Sequence, residues 1–168
     1  MQIALVLDKL LGLLDQVAEI YQSLLAVMDN ERDAVVAADL KELNEAAKVK
    51  DNLLLKLRIL EEQRMHLLKK LADQLNHPSE DLTLTNLSQI LEEPHANQLK
   101  DRSIRLLALL KFIQRANERN GSLFAHSLEL VRGSLNLLNN MMPAGPIYFR
   151  TGTIQNRRRT GNLLCGEI

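Results

Sequence analysis

The chain has 168 residues, with 21 Lys+Arg against 21 Asp+Glu, 46% hydrophobic and 3% aromatic residues, and one cysteine. That length fits one compact domain. Leu makes up about a fifth of the chain, which excludes intrinsic disorder and disfavours β-sandwiches and barrels, since those draw on β-branched and aromatic residues. A formal net charge of zero argues against nucleic-acid binding by the whole domain, and a lone Cys165 excludes an internal disulfide or a multi-cysteine metal site.

The N-terminal residues carry no basic leader, and Asp8 and Lys9 interrupt their apolar run. No stretch approaches 18 consecutive apolar residues, so neither a signal peptide nor stable membrane insertion is expected, and a reducing cytoplasmic location fits. Ile3, Leu7, Leu10, Leu14, Val17, Tyr21, Leu24 and Met28 follow alternating steps of four and three, the spacing of one helical face. Val6, Leu13, Ile20 and Val27 run beside them, with Ala4, Leu11, Ala18 and Leu25 on the other flank. About four of seven heptad positions are therefore apolar, where a two-stranded seam needs two. Such a helix packs against two neighbours or keeps a surface for a partner. Its polar remainder includes Asp8, Asp15, Gln22 and Asp29.

Asp39, with Glu42 three residues later, predicts the cap of a second helix. Its apolar face would include Leu40, Leu43, Ala47, Leu54, Leu57, Leu60, Leu67, Leu68, Leu71 and Leu75, and it should end near Pro78. Residues 77–94 form a connector with one short helix around Leu84, Leu87 and Ile90, started by Thr83 or Thr85. Pro94 fits the start of a third long helix, which reaches Met142 without another proline. The expected fold is all-α: an elongated antiparallel bundle, or coiled coil, of three long helices plus one short one. Residues 1–142 form the bundle, and residues 143–168 a flexible basic tail. In that tail four arginines against Glu167 make +3, which leaves −3 for the body, where 17 Lys+Arg face 20 Asp+Glu.

The polar residues offer little chemistry. No carboxylate stands three residues before His66 or His126, where Gln63 and Leu123 sit, so the helical di-metal pattern is missing and no metal is expected. Phosphate loops and nucleophile motifs are missing too, and neither a cofactor nor enzymatic activity is expected. Arg157, Arg158 and Arg159 lack interleaved aromatics, so nucleic acid is not an expected partner either. Within the third long helix a polar stretch interrupts the apolar stripe. Ile113, Asn117, Asn120 and Phe124 share one face, which places both asparagines in line with the core. Such residues either fix register or orient a partner, and Gly121 beside them weakens the helix.

Several of these segments in order resemble the FlgN family of flagellar export chaperones. They are Glu31-Arg32-Asp33-Ala34-Val35 followed by Asp39-Leu40-Lys41-Glu42-Leu43, a Lys-rich helix from Lys50 to Arg64, Asn117-Glu118-Arg119-Asn120-Gly121-Ser122-Leu123, and Tyr148-Phe149-Arg150-Thr151-Gly152. The tail beyond Gly152, with its arginines and Cys165, departs from that pattern. The resemblance implies a cytoplasmic type III export chaperone that binds the C-terminal helical region of hook-associated (hook–filament junction) proteins and delivers them to the export apparatus. It also implies that Tyr148, with Gly152, contacts the export gate. The surplus apolar surface of the first and last long helices could form the groove, with Asn117, Asn120, Gly121, Leu123, Phe124, Leu128, Val131, Leu135 and Leu138 as candidate substrate-binding residues. The alternatives for these side chains are ordinary bundle core, or self-association of a helical scaffold protein into a homo-oligomer.

Overall fold

The structure is a computed structural model that describes residues 2–75, 83–141, 147–148 and 154–155. The fold is all-α. Helix α1 spans Gln2–Val36, α2 Leu40–Leu75, the short α3 Leu84–Ile90 and α4 His95–Met141. In the tail segment, Ile147–Tyr148 (β1) pairs antiparallel with Ile154–Gln155 (β2), Ile147 opposite Gln155 and Tyr148 opposite Ile154. Within the expected tail, one short ladder is described. Its Ile and Tyr residues are the types that strands favour. The rest of the tail, including Gly152, the arginine cluster and Cys165, lies outside the described residues.

By internal packing the chain divides into Met1–Leu123 and Phe124–Ile168. In the first unit, α1 and α2 form an antiparallel hairpin whose turn is closed by side-chain and backbone caps. The Asp39 amide bonds the Ala34 carbonyl at 2.9 Å and the Ala38 amide bonds Val35 at 3.1 Å, the pair of bonds that ends a helix in a Schellman motif. Ala38 stands at φ 54° where that motif favours glycine. Asp39 then caps α2, as its spacing to Glu42 predicts: its Oδ1 accepts from the amides of Lys41 and Glu42, both at 3.0 Å. Thr83 caps α3 in the same way, with its hydroxyl accepting from the Asn86 amide at 3.1 Å. Pro94 lies one residue ahead of α4 and its carbonyl accepts from the Gln98 amide.

The wide apolar surface of α1 finds its two neighbours. Leu7, Leu10, Leu11, Leu14, Val17 and Ala18 are buried among Leu68, Leu71 and Ala72 of α2, Leu87 of α3, and Leu99 and Leu106 of α4. Helix α4 runs parallel to α1, because Asp8 reaches His95, Asp15 reaches Arg102 and Asp29 reaches Arg119. On α2 the burial is narrower than the leucine pattern suggests. Leu40 and Leu54 are exposed, and Ala46 is buried while Ala47 is only half-buried. Among the described residues α1 is the helix that packs closely along α2, and the α2 residues away from that face are exposed. Replacing Ala38 with Gly should raise the unfolding free energy by about 1 kcal/mol by relieving the left-handed backbone, whereas Asp39→Ala should lower it by about 1 kcal/mol, both read by urea denaturation.

Candidate functional site

Beyond the apolar core of the first unit lies a polar layer that fixes α1, α2 and α4 against each other. Glu31 is 4% exposed and its carboxylate accepts from Lys50 Nζ at 2.9 and 3.1 Å. Asn120 is 2% exposed, and its Nδ2 donates to the Met28 carbonyl at 2.6 Å. Arg119 donates to Asp29 at 2.8 Å, and Asp29 also accepts from Arg32 at 3.2 Å. Asn120 is therefore held inside the fold, in the register-fixing role expected of a polar residue at a seam. Asn117 does not join it. That side chain is exposed, and Ala116, four residues before Asn120, takes the buried place on the helix face. An ideal helix puts residues 116 and 120 about 40° apart, so either 116 or 117 can flank 120 on the seam. The smaller, apolar residue is the one buried.

Gly121 lies inside the continuous helix α4, and a Cβ built there meets nothing within 4 Å. No close approach requires the glycine. From Leu123 onwards exposure rises: Leu123 and Phe124 are half-buried, and every residue from Leu128 to Met141 is exposed. Leu128 is 57%, Val131 56%, Leu135 44% and Leu138 59% exposed. Within this chain these four are not core. They continue the helical register of Leu99, Leu106 and Asn120, three of the four α4 residues buried in the first unit. The surplus apolar surface expected on both the first and last helices is thus mostly buried on α1, where Leu5 and Val36 stay exposed, and remains exposed on the C-terminal part of α4.

Three acidic residues of α1 do more than the sequence suggested. Asp8, Asp15 and Asp29 read as a solvated face, yet each pairs with a basic residue of α4. Arg102 grips Asp15 with Nε at 3.1 Å from both carboxylate oxygens and Nη2 at 2.9 Å from Oδ2. His95 lies 3.5 Å from Asp8. The seven-residue interval from Asp8 to Asp15, matched by that from His95 to Arg102, was the available signal. Part-exposed pairs of this kind contribute about 0–1 kcal/mol each, so they select the register of α4 more than they stabilise it.

A second polar cluster sits in an open cleft of about 220 Å³ lined by Val17, Tyr21, Glu61, Arg64, Leu107 and Leu110 among others. Arg64 binds Glu61 with two nitrogens, Nε at 2.9 Å, and this pairing holds the Glu61 carboxyl below its ordinary range and the Arg64 guanidinium above its own. Burial, with the Glu61 charge nearby, pushes the Tyr21 hydroxyl up. The cluster has no nucleophile–base arrangement. Among the described residues no group of three or more His, Cys, Asp or Glu is placed to hold a metal ion, and no helix is long and apolar enough to cross a membrane.

Taken together, the first unit locks one half of α4 by apolar burial and a polar register, and the other half of the same helix presents apolar side chains to water. Over residues 1–155 the chain matches the family described as FlgN protein. It belongs to the FlgN family. The segments that resemble this family lie wholly inside the matched range, and membership makes the protein one of the flagellar export chaperones. No curated protein and no solved structure matches the chain. Of the residues expected to contact the export gate, only the backbone of Tyr148 is described, in β1.

Removing the Asn120 side chain with Asn120→Ala should cost about 1–3 kcal/mol, because it leaves the Met28 carbonyl buried without its donor. In the same urea titrations Leu128→Gln and Leu135→Gln should stay within about 0.5 kcal/mol of the parent, as surface substitutions do. The Glu61–Arg64 pair makes stability pH-dependent in a defined direction. The folded carboxyl titrates below the ordinary 4.5, so its contribution is complete above that value and is lost as pH falls through the lower folded value. Denaturation midpoints measured from pH 6 to pH 3 should therefore fall less steeply for Glu61→Gln than for the parent.

Proposed function

We propose that this chain is a cytoplasmic chaperone of the flagellar type III pathway that holds the C-terminal helical region of hook–filament junction proteins and delivers them to the export gate. The observation that supports this reading most directly is the exposed apolar line Leu128, Val131, Leu135 and Leu138, which continues the face that α4 buries in the first unit. On this reading, junction proteins would assemble by burying the apolar faces of terminal helices. A chaperone that offers an equivalent face occupies that surface and stops premature assembly. Phe124 and Leu123, half-buried at the head of the line, would set where the bound helix begins, and Asn117 and Gly121 lie beside that point on exposed positions. Asn120 would act indirectly, by holding the first unit in register. The tail from residue 143 would contact the gate through Tyr148, with Gly152 beside it.

The binding is driven by apolar burial and not by charge, so the affinity of the purified chain for a purified hook–filament junction protein should change by less than about threefold between 50 and 300 mM salt. Phosphate-type electrostatic binding would fall by orders of magnitude over such a range. Leu128→Gln combined with Leu135→Gln should weaken the complex by at least about tenfold, or 1.4 kcal/mol, in isothermal titration. Truncation after Met142 should lower export of the junction protein in cells; unchanged export and unchanged affinity would remove the tail from this mechanism.

A further inference from the structure

The line used above is only part of the apolar surface on the C-terminal half of α4. At about 100° per residue, Phe124, Leu128, Val131, Leu135 and Leu138 fall within roughly 80° of the helix circumference. Leu130, Leu137 and Met141 fall on a second line about 120° from the first, and they are 60%, 66% and 79% exposed. Ser127 and Ser134, seven residues apart, lie between the two lines. Together they make an arc of about 180° that carries no charge. Glu129, Arg132, His126 and the asparagines take the opposite half.

One docked helix covers a stripe of roughly 100°, so a helix seated on the first line leaves the second in water. Area leads to the same result. A fully buried Leu or Val side chain removes about 90 Å² of apolar surface from water. Weighted by their exposures, Leu128, Val131, Leu135 and Leu138 offer about 200 Å² of apolar surface, and the two lines together about 400 Å². A standard interface buries about 800 Å² per partner, a little over half of it apolar, or about 450 Å². One line reaches half of that and both lines reach nearly all of it. The first line also lies close to the helical register of Leu99, Leu106 and Asn120 on the same helix.

We infer that the segment captured on this surface is a pair of amphipathic helices packed side by side, one on each line, and not a single helix. This rests on the chaperone reading above and specifies what its substrate must present. The small side chains of Ser127 and Ser134 leave room between the lines for large apolar residues of the incoming pair. Because nothing charged lies between the lines, the pair is selected by its apolar pattern.

Two double variants separate the lines: Leu128→Gln with Leu135→Gln, and Leu130→Gln with Leu137→Gln. Isothermal titration of each against a full-length hook–filament junction protein, and against a peptide of its C-terminal helix alone, reads the contributions. Circular dichroism checks that both variants keep the parent's helicity, and sedimentation of the free chain reports self-association. The expected result is a loss of at least about tenfold for both variants with the full-length protein, and a peptide that binds the parent at least about tenfold more weakly than the full-length protein. Loss confined to the Leu128/Leu135 variant, with the Leu130/Leu137 variant within twofold of the parent, would overturn the helix pair and leave the chaperone reading standing. A free chain that is a dimer, and becomes monomeric in the Leu130/Leu137 variant, would assign the second line to another copy and also overturn it. If the parent binds no junction protein at all, it is the chaperone reading that fails.

Discussion

Burial of α1 is the constraint from which the rest of the structure follows. A helix with apolar residues on about four of seven heptad positions cannot be satisfied by one partner. Leu10 and Leu14 are almost fully buried only because α2 covers one side and α4 another, with Leu87 of α3 closing the end. That demand fixes the hairpin at Ala38-Asp39 and the return of the chain through α3. It also fixes the parallel course of α4 beside α1. Losing a leucine at this centre would cost about 2–5 kcal/mol, a large part of the stability of a domain of this size.

Apolar burial alone would let α4 slide by a turn, because leucines recur along its whole length. The charged and polar contacts between α1 and α4 remove that freedom. Asp15 with Arg102 and Asp29 with Arg119 select the pairing, and the buried bond from Asn120 to the Met28 carbonyl penalises a slip because the carbonyl would lose its donor. The apolar packing thus supplies most of the energy and the polar contacts supply the register. Register decides which α4 residues are buried inside the first unit and, on the proposed reading, which would be left for a partner.

The helices themselves were largely legible in the sequence. Turn chemistry is local, so Asp39 with Glu42, Thr83 and Pro94 mark helix starts to within a residue. The periodicity of α1 translated directly into its buried rows. What was not legible is which apolar faces are covered, since that depends on partners distant in sequence. Leu54 and Leu128 carry the same helical spacing as Leu71 and Leu106, yet the first two are exposed and the last two buried. Asn117 and Asn120 posed the same problem on a finer scale, because a helical wheel assigns both to one face and only packing separates them. The pairs of Asp8 and Asp15 with His95 and Arg102 were hidden for a different reason: an aspartate on a polar face looks the same whether it meets water or a guanidinium across the bundle.

The exposed half of α4 raises the question of what keeps it helical. It has few of the tertiary contacts that stabilise most helices in proteins, and Gly133 and its asparagines are poor helix formers. It is, however, the continuation of a helix already formed and held in the first unit. The unfavourable nucleation step is therefore complete, and each further residue faces only the propagation step, which is near neutral to favourable for the leucines and weaker at Gly133 and the asparagines. Such a segment has low local stability and opens before the rest of the fold. Low local stability would suit the proposed holding of substrate: binding would bury the apolar lines and firm the helix, and release would return the segment to its weaker free state. A chaperone whose binding helix were locked along its whole length would have to break its own core to let go. The division at Leu123, with the Asn120 lock just before it, separates the two requirements along a single helix.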